Sequence, residues 1–187
     1  MEKRKASLLC ALLVVVLAAA AVGYYNSKYP IMADNSNLIE HASALLERRT
    51  TPSYQANIKL YDSLMIGNRK IVSAKVNGCL GEIELIRGLN GKYQIDSIGH
   101  GTNNFRGKVF SEGDRQYIFF IGQNPDLAID SIRFAHYGFE YILDIPAEEI
   151  FITCIEVDPL VTYWAGEDIT FYDAEGNDIT TFIRSIW

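Results

Sequence analysis

The chain has 187 residues, with 17 Lys and Arg against 23 Asp and Glu, a net charge of −6 and an aromatic share of 12%. No dense basic patch marks a nucleic-acid binder, so nucleic acid is excluded as a partner. Tyr, Phe, Ile and Val recur throughout, which excludes a disordered chain and favours strands over helices.

The chain opens with MEKRKASLLCALLVVVLAAAAVGYY, in which residues 6–23 carry no charge. As a helix rising about 1.5 Å per residue this stretch spans roughly 27 Å, near the thickness of a hydrocarbon core. Lys3, Arg4 and Lys5 precede it and resist translocation. The expected topology is a single-pass anchor with a cytosolic N-terminus and everything after Gly23 outside. Tyr24, Tyr25 and Tyr29 supply an aromatic belt at the membrane interface. The alternative is a cleaved signal peptide, with an apolar middle from Leu8 to Leu17, small residues from Ala18 to Ala21, and a secreted product. Cys10 lies at the start of the apolar run, where a lipid-modification site needs its Cys at the end.

Residues 24–36 read as a short tether, and residues 37–187 as an exported β-rich domain, divisible at most into lobes 37–124 and 125–187. Asn37 and Glu40 resemble a capping pair for an amphipathic helix from Leu38 to Arg49, with Leu38, Ala42, Leu45 and Leu46 on one face. Pro52 stops it. Alternation then begins at Tyr54 and continues through Ala56, Ile58 and Leu60 as in a half-buried strand. IGNRK and NGC read as turns around a strand from Ile71 to Val76, and LNG as the turn of a hairpin pairing Glu82–Arg87 with Lys92–Ile98.

GHGTNNFRG reads as a glycine-rich loop, followed by Lys108–Phe110, the turn SEGDR, and Gln116–Gly122, whose run YIFFIG suits a central buried strand. Further strands are expected at Ala128–Phe134, Phe139–Asp144, Glu149–Val157, Ile169–Tyr172 and Ile179–Ile186, the third and fourth joined by a loop through Trp164. The expected class is mainly β (α+β): an N-terminal transmembrane helix, one short amphipathic helix, then an antiparallel β-sandwich or open roll of about ten strands.

Charge is unevenly distributed. Residues 24–115 hold 12 Lys and Arg against 9 acids, whereas from Gln116 onward only Arg133 and Arg184 oppose 13 acids. Either the acidic half is a solvated surface or it docks on a cationic surface, its own first half included. In the latter case Arg69, Lys70, Arg87 and Arg106 relieve the repulsion while strand burial drives the docking.

The loop around His100 is the best local candidate for a ligand site. Glycines 99, 101 and 107 let backbone approach a ligand, and His100, Asn103, Asn104 and Arg106 supply donors. His41, His100 and His136 lack the close spacing of a zinc site, and DAEGND lacks the spacing and terminal acid of a calcium loop. No metal site is expected. There is no G-x-S-x-G elbow and no phosphate-binding G-x-x-x-x-G-K, so no cofactor is expected. Cys79 lies in a strand pattern rather than at a helix start that would lower its thiol pKa. Cys79 and Cys154 read either as two free apolar thiols, the preferred reading, or as a pair.

The segments NGKYQI, GHGTNNFRG, IGQNPDLAIDSIRF and ITFYDAEGNDIT resemble uncharacterised small membrane-anchored or exported proteins of Gram-positive bacteria. AIDSIRF to ITFYD is also similar to halves of immunoglobulin-like sandwiches. The first resemblance implies an envelope setting and brings no catalytic residues. The expected role is that of a non-catalytic recognition or accessory protein at the cell envelope, with the lipid bilayer and an envelope protein or ligand as partners. The rival class is an extracytoplasmic hydrolase or transferase using the loop around His100.

Overall fold

Strand periodicity governs most of the fold, because alternating side chains must find cover on one face or both. In a computed structural model, residues 2–49, 55–136, 138–164 and 169–187 are described, with backbone alone for residues 2–10 and Arg49. The expectations at Pro52 and Tyr54 lie outside these residues. Three helices, α1 (Glu2–Lys28), α2 (Leu38–Arg49) and α3 (Thr180–Ile186), accompany ten strands. The strands are β1 (Ile58–Ile66), β2 (Arg69–Val76), β3 (Cys79–Arg87), β4 (Tyr93–Gly101), β5 (Phe105–Glu112), β6 (Arg115–Gln123), β7 (Ser131–His136), β8 (Phe139–Asp144), β9 (Ile150–Val157) and β10 (Ile169–Tyr172).

All pairings are antiparallel, in three sheets ordered β1-β2-β3-β4, β5-β6-β9 and β10-β7-β8. The sheets stack. Helix α2 lays Leu38, Ala42 and Leu46 on Val72, Ala74, Ile83 and Leu85 of the first sheet. The opposite face of that sheet brings Ile66, Ile71 and Leu80 against Phe119, Ile121, Ile150 and Ile152 of the second. The second sheet's other face, with Ile118, Phe120 and Phe151, meets Ile132, Phe134, Leu143 and Phe171 of the third. Ile183 of α3 closes this last core. The second sheet is thus an inner layer covered on both sides, which is why YIFFIG is apolar without interruption.

Local chemistry sets the register. A bulge at Tyr61 and Asp62 interrupts β1, and Ser73 Oγ both accepts from the Asp62 N–H (3.1 Å) and donates to the Asp62 carbonyl (2.9 Å). The extra residue turns Leu60 toward α2 and Leu64 and Ile66 toward the second sheet. Asn77 and Gly78, both at positive φ, form the tight β2–β3 turn. At Gly107 a Cβ would fall 2.8 Å from both Phe120 Cε1 and Trp164 Nε1, so this position must be bare for the rings to reach the sheet.

Four expectations are corrected. Residues 179–186 are not a strand: Thr180–Ile186 is helical, and the apolar spacing Ile179, Phe182, Ile183, Ile186 follows the helical period. Asp178 Oδ1 accepts from the Thr180 N–H (2.9 Å), and Thr180 Oγ1 accepts from the Phe171 N–H (2.9 Å), which turns the chain back along β10. Asn37 does not cap α2; its Oδ1 accepts from the Met32 N–H and its Nδ2 donates to the Pro30 carbonyl.

The segment read as a tether is packed. Ile31 is buried and exchanges both backbone hydrogen bonds with Tyr93 (3.0 and 2.8 Å). The buried Lys70 ammonium donates to the Ala33 carbonyl and to Asn35 Oδ1, and burial lowers its pKa. Finally, three of the cations expected to relieve the acidic half, Arg69, Lys70 and Arg106, bond within the first half. Arg69 pairs with Glu84 and Asp96, Arg106 with Glu82, and Lys108 with Glu84, all within the first half. The acidic half packs on the first sheet through apolar side chains, and among the described residues Arg115–Glu156 is the single ion pair joining the two halves.

Truncating Phe120, wholly buried between the second and third sheets, removes a ring packed edge-on against Phe134 and Trp164. Phe120→Ala is expected to lower the unfolding free energy by about 3–5 kcal/mol in urea titration, with the native strand content retained in dilute buffer.

Candidate functional site

The segment read as a long glycine-rich loop is mostly strand. Gly99–Gly101 end β4 and Phe105–Gly107 begin β5, leaving residues 102–104 as the turn. The four candidate residues diverge from it. Asn104 is structural: its Nδ2 donates to the Trp187 carbonyl (2.9 Å) and its Oδ1 accepts from Gln123 Nε2. Asn103 is exposed at the tip. Arg106 turns toward the first sheet and binds Glu82 at 3.2 Å.

His100 is across from Gly81, and Gly99 across from Glu82. Alternation therefore puts the His100 side chain on the opposite face of the sheet from Glu82. Among the described residues the imidazole has no hydrogen-bond partner, so His100 is not joined to Arg106 or to Glu82.

Two open clefts flank the turn and share Thr102, Asn103 and Phe105. One, of about 650 Å³, is walled by His100, Arg106 and Trp164. The other, of about 530 Å³, is walled by Asn104, Phe171, Arg184 and Trp187. The floor of the second is aromatic: Phe105 stacks on Trp187 (centroids 6.0 Å apart), and Phe171 meets each of them edge-on (5.4 and 5.2 Å). Trp187 Nε1–H is buried without an acceptor among the described residues. Arg184 donates to the Ile169 carbonyl (3.4 Å) and forms no ion pair among the described residues, leaving a cation at the rim. Such a cleft offers ring faces, amide donors and one positive charge, and it contains no nucleophile paired with a base.

Sequence reasoning missed Phe105, Trp164, Phe171, Arg184 and Trp187 as wall residues. The spacing that marks α3 was the available signal for the last two, since it turns the C-terminal segment back over β5 and β10.

Beneath the first cleft, Glu82 and Glu84 are buried between the first two sheets. Gly99 makes room there, because a Cβ at that position would meet Glu82 Oε1 at 2.0 Å and Arg106 at 3.0 Å. Burial raises the Glu82 pKa above its ordinary value; the Arg106 charge opposes the rise and the neighbouring Glu84 adds to it. Glu82 Oε2 is buried without a donor among the described residues. Cys79 and Cys154 are free and half-buried, and burial pushes the Cys154 thiol up, away from the thiolate a nucleophile requires. Among the described residues no cluster of His, Cys, Asp and Glu could hold a metal ion.

At the other end of β4, the tilted rings of Tyr25 and Tyr29 meet at 4.8 Å beside the β3–β4 turn, while Tyr24 is exposed. The Leu89 N–H donates to Tyr25 Oη (2.6 Å), and Asn90 Nδ2 donates to Asn26 Oδ1 (3.0 Å). Two of the three tyrosines expected at the membrane interface thus also fasten α1 to the domain.

The folded state holds the Glu82 proton more tightly than the unfolded chain. Its buried charge costs stability at neutral pH, and the cost is relieved as pH falls through the folded pKa toward 4.5. Glu82→Gln is therefore expected to lack this gain, so that the difference in stability between Glu82→Gln and the wild type narrows as pH falls over that window. The check is urea denaturation of both proteins from neutral pH downward, because the difference between the slopes isolates this carboxyl from the other acids.

No family model matches the chain, and neither the curated proteins nor the solved structures include a match.

Proposed function

We propose that the protein is a non-catalytic recognition module of the cell envelope, carried on a membrane anchor and binding its ligand in the aromatic cleft beside residues 102–104 that Phe171, Arg184 and Trp187 wall. One observation carries this reading: an aromatic floor, the exposed Asn103 amide and the Arg184 guanidinium converge around a turn that holds no catalytic constellation. A hydrolase or transferase centred on His100 is the rival, and it is disfavoured because the imidazole lies on the opposite face of the sheet from Glu82.

The anchor reading is supported by α1, which is long and apolar enough to cross a membrane and whose side chains from Ala11 to Gly23 are exposed. In the proposed topology Lys3, Arg4 and Lys5 remain in the cytosol and the β domain lies outside. Strand β4 then gives the arrangement a direction. Its nine residues, about 30 Å long at 3.3 Å each, run from the helix base at Tyr93 to the clefts at Gly101. The strand thereby separates the ligand site from the helix base by about that length.

Filling the clefts from exposed positions tests the binding claim. Thr102→Arg with Asn103→Trp is expected to abolish capture of ligand from envelope extract by the immobilised protein, whereas His100→Ala captures as the wild type does. Loss of function in His100→Ala with the fold intact contradicts the proposal and favours the enzyme. N-terminal sequencing of the mature protein tests the anchor: the expected N-terminus precedes Ala6, and one between Ala19 and Gly23 shows a secreted product.

A further inference from the structure

The β3–β4 turn combines features that its hairpin does not require. Leu89 at its tip is 97% exposed, although a turn needs no large apolar side chain and Gly, Asn, Asp or Ser serve there. The turn is also fastened to the last turns of α1 by the Leu89–Tyr25 and Asn90–Asn26 hydrogen bonds, with a further bond from Asn90 Nδ2 to the Tyr29 carbonyl (3.5 Å). Gly88 packs so closely on Tyr29 that a Cβ there would meet the ring at 2.7 Å. The exposed leucine is therefore held at a fixed height on the helix.

That height can be read from helix geometry. Side chains lean toward a helix's N-terminus, so the Tyr25 hydroxyl points back toward the apolar run. Val22, the last aliphatic residue of that run, is one turn before Tyr25, about 5 Å along the axis. Leu89 hangs beside this boundary. Arg87 and Lys92 flank the turn, and Lys28 ends the helix with its ammonium 5.6 Å from the Tyr29 ring centre. An apolar tip beside two tyrosines, in a turn flanked by basic residues, matches the headgroup–acyl boundary of a bilayer, where aromatic and long basic side chains are favoured.

We infer that the β3–β4 turn is a second membrane contact, with Leu89 inserted into the outer-leaflet interface beside α1. The inference rests on the reading of α1 as a transmembrane anchor. Its consequence is orientational: a helix alone leaves a domain free to tilt, whereas a helix and an inserted turn together fix β4 relative to the membrane and the clefts at a set distance from it.

The experiment uses the full chain in lipid bilayers, with tryptophan introduced by Leu89→Trp or, as a separate protein, by Val14→Trp within α1. Emission above the wild-type background is measured with lipids brominated near the headgroup or near the chain end. The expected result is that Val14→Trp is quenched most by the deep bromines, and that Leu89→Trp loses about half of its added emission to the shallow ones, as a shallowly seated side chain does. A quenched Val14→Trp with an unquenched Leu89→Trp overturns the second contact and leaves the anchor standing. If neither is quenched, the anchor reading falls and this inference falls with it. Leu89 is exposed, so its replacement leaves the fold intact, and unchanged urea denaturation verifies this.

Discussion

The structure depends on one strand being buried from both sides. In β6 the side chains of Phe119 and Ile121 enter the core shared with the first sheet, while Ile118 and Phe120 enter the core shared with the third. A strand in this position must be apolar at every residue, and its neighbours β5 and β9 must offer two complementary faces. β9 does so with Ile150 and Ile152 on one side and Phe151 and Val157 on the other. The acidic second half therefore needs no large set of ion pairs with the first. Among the described residues its carboxylates are exposed or half-buried and none is buried, and the packing between sheets is a matter of apolar area.

The charges buried in this stack are few, and each has a reason. Glu82 and Glu84 face the second sheet, where Arg106 and Lys108 of β5 meet them. These cations come from one face of β5 at a spacing of two, as the carboxylates do from β3, so two ion pairs form between the facing sheets. Burying such pairs carries a desolvation cost that the Coulomb attraction only partly offsets. The raised Glu82 pKa is its signature.

Elements with a strong local period were legible in the sequence. The leucine spacing of α2, the asparagine-glycine turn at 77–78 and the unbroken run of β6 all state their own solution. The site was half legible. His100, Asn103, Asn104 and Arg106 do surround one turn, yet strand alternation sends them to different faces, and alternation was invisible while the segment read as a loop. The aromatic floor was hidden for another reason: Phe105, Phe171 and Trp187 meet only because α3 folds back along β10, a tertiary event no local window reports. The packing of residues 30–35 was missed similarly, since Ile31 and the acceptors for Lys70 gain meaning only beside β4 and β2.

Burial of β6 between the first and third sheets predicts that the two halves unfold as one cooperative unit. Hydrogen exchange of the wild type and Phe119→Ala, followed by mass spectrometry, tests it most directly. Phe119 touches the first sheet and not the third, so one unit predicts that the substitution lowers protection by the same free energy in β2 and β3 and in β7 and β10. Loss confined to β2, β3 and β6, with β7 and β10 protected as before, contradicts it.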